Sequence, residues 1–194
     1  MTIHRNNSLG IPSIIIVALV LLDQITKLIV VRTIPLYYQS GFTIEVLGEF
    51  LRLIHARNLG VAFSIGDGLA PTIRRLAFIL LPAVVSVGLL VSLAKSGVWR
   101  GLERYAVSLI IAGGLGNLVD RIFRPAGVVD FIDVKFYGLF GLERWPTFNV
   151  ADSSVVVGGI ALIVLTLFPR DENDGSAGEQ AGPPGESHRG SAID

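Results

Sequence analysis

The chain has 194 residues and no cysteine, which excludes disulfides, a thiol nucleophile and any thiolate metal site. Histidine is nearly as scarce: His4, His55 and His188 stand far apart. None has the paired spacing, such as H-E-x-x-H, that a zinc protease needs. Charge is scarce as well. Asp, Glu, Lys and Arg make up 16% of the residues, against about 25% in soluble domains. The formal net charge is zero, so nothing suggests a nucleic-acid partner.

What replaces charge is apolar surface, at 51% of the residues and a mean hydropathy of +0.62. It is gathered into runs. Residues 11–31 can cross a hydrocarbon core of about 30 Å at about 1.5 Å per residue. The run is too long for the h-region of a signal peptide and no small-x-small site follows, so a retained span is expected. Residues 76–94 form a second, uncharged run bounded by Arg74, Arg75 and Lys95, with Pro82 tolerated inside it as membrane helices allow. Residues 102–122 and 150–168 complete a set of four spans. Residues 171–194, rich in Gly, Ser, Glu and Pro, are expected to be a disordered polar tail. The distribution of Lys and Arg over the loops does not decide the orientation in the membrane.

Between the first two spans, residues 43–47 and 51–56 alternate with period two around Gly48-Glu49, which predicts a hairpin or small sheet. Residues 121–147 read as a loop.

An ionisable group at membrane depth costs at least about 2.5 kcal/mol and is a functional candidate by default. Asp23 and Lys27 lie four apart in the first span, acid first, so they share one helix face. They suit either an interfacial ion pair or the lining of a polar cavity. Gly113, Gly116, Asn117 and Asp120 share a face of the third span. Close helix packing accounts for the glycines but not for Asn117 and Asp120. Asp130 stands between Val129 and Phe131, a poor setting for a solvated charge, whereas Asp133 fits solvation. Asp152 falls in the first turn of the fourth span, where it can cap the helix or act in a site. Because successive spans alternate in direction, Asp120, Asp130 and Asp152 emerge at one membrane face. Paired carboxylates without metal ligands or a serine–histidine pair suit aspartyl hydrolysis, one acid ionised and one protonated. Proton or cation transport is the alternative.

Four blocks resemble the signature of the bacterial lipoprotein signal peptidase family (signal peptidase II). They are Asn58-Leu59-Gly60-Val61-Ala62-Phe63, Gly113-Gly114-Leu115-Gly116-Asn117-Leu118-Val119-Asp120-Arg121, Val128-Val129-Asp130-Phe131 and Phe148-Asn149-Val150-Ala151-Asp152. Order and spacing agree, and Asp23 and Lys27 match too, so the resemblance covers roughly residues 21–168. It implies an all-α integral membrane protein with four transmembrane helices and a small extracytoplasmic β-cradle, here about residues 34–66, within a peptidase domain of residues 1–170. It implies a cofactor-free aspartic endopeptidase that cuts diacylglyceryl-modified prolipoproteins on the N-terminal side of the lipidated cysteine. The catalytic pair maps onto Asp130 and Asp152. Asp23, Lys27, Asn58, Gly113, Asn117, Asp120, Arg121, Asn149 and Ala151 match positions that shape or support the site, where globomycin-type cyclic peptides bind. The resemblance further implies a monomer in the plasma (inner) membrane with cytoplasmic termini and an active site near the outer face.

Overall fold

The computed structural model describes residues 9–60, 70–95 and 97–168. The expected tail, and the last residues of the expected cradle, lie outside the described residues. Among the described residues four helices are long and apolar enough to cross a membrane: α1 (Gly10–Thr33), α3 (Pro71–Ala94), α4 (Glu103–Phe123) and α5 (Val150–Leu167). A single helical turn, α2 (Tyr37–Ser40), follows α1. Three antiparallel strands, β1 (Ile44–Leu47), β2 (Leu51–Asn58) and β3 (Val128–Val134), form one sheet in the order β1-β2-β3. The fold is therefore mostly helical with four spans and a small sheet. The expected hairpin is present. The third strand replaces part of the expected loop at residues 121–147. Val128, Val129, Phe131 and Ile132 lie on both sides of Asp130, so this segment lacks clean alternation and shows no strand signal until its partner is known.

α4 is the organising helix. Half of its span is buried, against about a fifth or less for the other three. Its glycines explain how neighbours come so close. A Cβ on Gly113 would meet the carbonyl oxygen of Ala151 at 2.2 Å, and one on Gly114 would meet Ser86 Oγ at 2.6 Å. From the opposite helix, a Cβ on Gly158 would meet the carbonyl of Ala106 at 2.7 Å. Small residues at crossings let backbones approach where no hydrophobic force drives helices together. One apolar cluster, Ile16, Leu93, Val107 and Ile111, joins α1, α3 and α4. A second, Val30, Ile34, Val129 and Phe131, seats the sheet on the end of α1. The outward faces of α1, α3 and α5 carry Leu, Ile and Val side chains that are about half exposed or more, as lipid contact requires.

The sheet carries one irregularity that matters. On β2 three steps separate Leu53 from Ala56, but on β3 two steps separate their partners Ile132 and Asp130. This bulge resets the register, so that Asn58 pairs with Val128 and its side chain can reach Asp130. Gly127, at φ +98°, turns the chain into β3 with Asn58 O only 2.6 Å from where its Cβ would sit.

Gly113→Val should wedge α4 from α5 and lower stability by about 1–3 kcal/mol or more. Gly159→Ala, where a new Cβ meets nothing within 4 Å, should be neutral or stabilising by about 0.5–1 kcal/mol. Thermal unfolding of both variants in detergent checks the contrast, and equal midpoints would contradict the packing account.

Candidate active site

The site forms where the C-terminal halves of α1 and α4 meet the N-terminus of α5 and strand β3. Lys27 is wholly buried, so its ammonium must find partners within the protein. It lies 2.8 Å from Asp23 Oδ2 and 3.2 Å from Asp120 Oδ2, and donates to Asn117 Oδ1 at 2.9 Å. Asp23 and Asp120 are 1% and 0% exposed. Asp23 and Lys27 thus belong to an interior cluster and not to an interfacial ion pair. Gly116 is what lets this cluster exist, since a Cβ there would stand 2.8 Å from Asp23 Oδ2.

Each supporting aspartate also takes the backbone N–H of the residue before a site aspartate. Asp23 Oδ1 accepts from Ala151 N at 2.9 Å, and Asp120 Oδ2 accepts from Val129 N at 3.0 Å. The ionic cluster therefore fixes the backbone just ahead of both Asp152 and Asp130. It also satisfies a helix-end N–H of α5 that has no partner within its own helix.

The side chains are then set by asparagines. Asn149 donates Nδ2–H to Asp130 Oδ1 at 2.7 Å and to Asn117 Oδ1 at 3.1 Å. Asn117 donates to Asp152 Oδ1 at 2.7 Å. Asn58 donates to Asp130 Oδ2 at 3.0 Å. Asn149 is also the N-cap of α5: its Oδ1 accepts from Asp152 N at 2.9 Å, while Asp152 Oδ2 accepts from Asn149 N at 3.1 Å. This reciprocal capping box bears out the capping reading of Asp152, and its other oxygen is held by Asn117.

Asp130 is 3% exposed. Burial first, and the facing Asp152 carboxylate second, push its pKa up to about 7 against the opposing pull of Asn58, Asn149 and Lys27. Two carboxyl groups so joined, one of them retaining a proton to near neutrality, can act as an acid–base pair. Among the described residues no group of acidic or histidine side chains has the arrangement of a metal site.

The structure brings Asp130, Asp152, Asp23, Lys27, Asn58, Asn117, Asp120 and Asn149 into one network, with Ala151 contributing its N–H. Gly113 acts by admitting α5. Arg121 is half-buried and close enough to Asp152, Asp130 and Asp120 to feel their charge, but it makes no hydrogen bond or ion pair among the described residues. Asp133 departs from the solvated reading. It is 3% exposed, held by Arg52 at 2.7 Å and Arg144 at 2.6 Å. Strand β3 turns this residue inward, and burial then demands the two guanidinium partners.

Two participants were missed from sequence. Gln24 donates to Asp23 Oδ2 and Asp120 Oδ1, both at 3.1 Å, and so bridges the two supporting acids. Arg124 donates to Gln24 Oε1 at 2.9 Å and pairs with Asp120. The signals were an amide beside an intramembrane acid and a basic residue four after Asp120. His55, 4% exposed, donates from Nδ1 to the Ile34 carbonyl at 2.9 Å and ties β2 to α1. Burial holds its pKa below the usual histidine range.

Two outcomes follow. Lys27→Met leaves Asp23 and Asp120 buried without their shared cation and should cost about 3–5 kcal/mol, read by thermal unfolding in detergent. For Asp130 the folded pKa lies above the unfolded one, so its stabilising contribution is complete below about pH 4 and disappears as pH rises through about 7. Asp130→Asn should remove that dependence. The variant should gain stability relative to the parent as pH rises from about 4 to about 8, and parallel pH curves for the two proteins would contradict the assignment.

The chain is similar to known proteins over most of its length. Residues 15–168 match the family model described as signal peptidase (SPase) II. A lipoprotein signal peptidase of Borrelia hermsii is 43% identical over 175 residues, covering 89% of this chain and 98% of its own length. One from Treponema pallidum is 44% identical over 153 residues, covering 79% and 81%. A bacterial membrane enzyme solved by the in meso method at 1.9 Å resolution superimposes with a TM-score of 0.67 at 33% identity. That match covers 84% of this chain and 95% of the other. A second such structure, at 2.3 Å, gives 0.66 and 34% over 81% and 87%. With a family match across all four spans and relatives this similar over most of its length, the chain belongs to the signal peptidase II family.

Proposed function

We propose that the chain is an aspartic endopeptidase that removes the signal peptide from diacylglyceryl-modified prolipoproteins, with Asp130 and Asp152 as its catalytic residues. The observation that carries this reading is the convergence of two carboxyls, one buried and one half-buried, through one asparagine. Asn149 hydrogen-bonds both Asp130 and Asp152, and Asp130 keeps its proton to about pH 7. The family match and the named relatives point to peptidase chemistry and give the transport alternative no support.

In the proposed reaction Asp152 is ionised and Asp130 protonated. Asp152 draws a proton from a water, and the water oxygen attacks the scissile carbonyl. Asp130 gives its proton to the carbonyl oxygen as that bond becomes single. Collapse of the tetrahedral species breaks the C–N bond as Asp152 passes its proton to the departing amine and a hydroxyl proton returns to Asp130. Asn117 and Asn149 hold the two carboxyl groups in position for both transfers, and Asn58 steadies the outer oxygen of Asp130. The supporting cluster contributes position and not proton transfer, because Asp23 and Asp120 already accept from Lys27, Gln24 and backbone N–H groups.

The setting suits the substrate. An apolar signal helix and two acyl chains remain in hydrocarbon while the scissile amide reaches polar groups at the helix ends. An even number of spans puts both termini on one side of the membrane and this site on the other. Cytoplasmic termini and an outward-facing site are therefore the proposed topology. Cyclic peptides of the globomycin type fit the same place as competitive occupants.

The deciding assay uses purified protein in detergent, with a diacylglyceryl-modified prolipoprotein and its unmodified form. Only the modified form should be cut. Asp130→Asn and Asp152→Asn should each lower turnover by at least about 100-fold, the scale of lost acid–base catalysis. The double variant should be scarcely slower than either single one. The pH–rate profile should be bell-shaped, with its alkaline limb near the pH at which Asp130 gives up its proton. Substantial turnover by either single variant would remove that residue from the pair.

A further inference from the structure

A groove of about 520 Å³ runs outward from Asp130 over the sheet, between α2 and the segment carrying Arg144 and Trp145. Its charge is one-sided. Arg52, Arg57 and Arg144 line it, and among the described residues the only acid besides Asp130 is Asp133. Asp133 serves two of the three cations at once: Arg52 donates to its Oδ2 at 2.7 and 3.0 Å, and Arg144 to its Oδ1 at 2.6 Å. That leaves Arg57. Among the described residues it has no carboxylate within ion-pair range, and its hydrogen bond is a long one to the Gly127 carbonyl, at 3.4 Å. It is half-buried, and Arg124 repels it while Asp120 attracts it. A guanidinium withdrawn from water with so little compensation favours any ligand that brings an anion or a carbonyl oxygen.

The position of the groove fixes which part of a substrate enters it. Its walls are the sheet, α2 and the segment leading to α5, all outside the spans. An apolar signal helix stays in the bilayer, so it is the polypeptide beyond the scissile bond that leaves the membrane past Asp130. Arg57 is next in sequence to Asn58, whose side chain touches Asp130. An extended substrate advances about 3.3 Å per residue, so Arg57 lies within reach of the first few residues after the cleaved bond.

Building on the reading in the preceding section, we propose that this groove binds the polypeptide on the C-terminal side of the scissile bond and selects acidic side chains there, with Arg57 as the residue that determines the preference. Asp133 limits the excess positive charge by holding Arg52 and Arg144, which leaves Arg57 as the cation open to a substrate carboxylate. The charged groups that line the groove around an entering carboxylate are Arg52, Arg57, Asp130 and Asp133 on the sheet and Arg144 beyond it. The preferred substrates are accordingly prolipoproteins whose mature chains begin with aspartate or glutamate within about two to four residues of the lipidated cysteine.

The test uses three diacylglyceryl-modified peptides that are identical except for Asp, Ser or Lys at the second to fourth residues after the cysteine. At about 0.05 M salt the Asp peptide should exceed the Lys peptide about tenfold in kcat/KM, mostly through KM, with Ser between them. The ratio should shrink at about 0.5 M salt, where screening is strong. Arg57→Gln should bring the Asp:Lys ratio close to one, and Arg57→Lys should restore much of it. Because the readout is a ratio within each protein, a general loss of activity in a variant does not alter its meaning. Equal kcat/KM for all three peptides in the parent protein overturns the preference, and a ratio unchanged in Arg57→Gln overturns the role of that residue. Failure to cleave even the Ser peptide overturns the peptidase reading itself, and the groove assignment with it.

Discussion

A lysine with no exposed surface sits between α1 and α4, and its ammonium must be neutralised or the fold fails. Two carboxylates close to it do this, one from its own helix and one from α4. Those carboxylates would be as costly as the lysine if left with spare lone pairs. Each therefore takes a further N–H from the backbone, and these N–H groups belong to Ala151 and Val129. The need to satisfy one buried cation thus reaches, in two hydrogen-bonded steps, to the residues immediately before Asp152 and Asp130. Gln24 and Arg124 close the circuit by occupying what remains of Asp120 and Asp23.

The same arrangement makes the site rigid where precision is needed and leaves reactive atoms available. Asp152 belongs to a capping box, so its side chain is committed to the first turn of α5 through one oxygen. Its other oxygen receives only a side-chain amide. Among the described residues Asp130 has both oxygens on asparagines and none on a cation. Neutral donors orient a carboxyl group without forcing it to ionise, whereas a guanidinium at the same distance would hold its pKa low. Asp133, three residues away on the same strand, pairs instead with two arginines, which tie β2 and the segment before α5 to β3.

The sheet has a corresponding division of labour. Its inner end, through the bulge on β2, brings Asn58 to Asp130. Its body is anchored on α1 by Val30, Ile34, Val129 and Phe131 and by the His55 bond to Ile34. Its upper surface holds a groove whose cations outnumber its anions. Helices alone could have enclosed the carboxyl pair, but a groove continuous with the site, beyond the bilayer, requires an element with hydrogen-bonded edges that water or polypeptide can meet.

The four spans were legible in the sequence because membrane crossing depends on length and hydropathy, which are local. So were Asp130 and Asp152 as candidates, since an acid flanked by valine and phenylalanine, or opening an apolar helix, stands out against its neighbours. The hairpin followed from its alternation. Third strand β3 did not, because its residues are buried on both faces and only pairing with β2 distinguishes it from a loop. The burial of Asp133, the choice between an interfacial and an interior Asp23–Lys27 pair, and the parts taken by Gln24 and Arg124 were likewise decided by tertiary structure. Each depends on groups about 80 to 130 residues away in sequence or on a partner strand. The sequence by itself determined which segments lie in the membrane and which side chains are too polar to be there without a reason. Only the folded chain decided which of them meet, because an ion pair or hydrogen bond in a low-dielectric interior is set by distances of a few ångströms that no local pattern records.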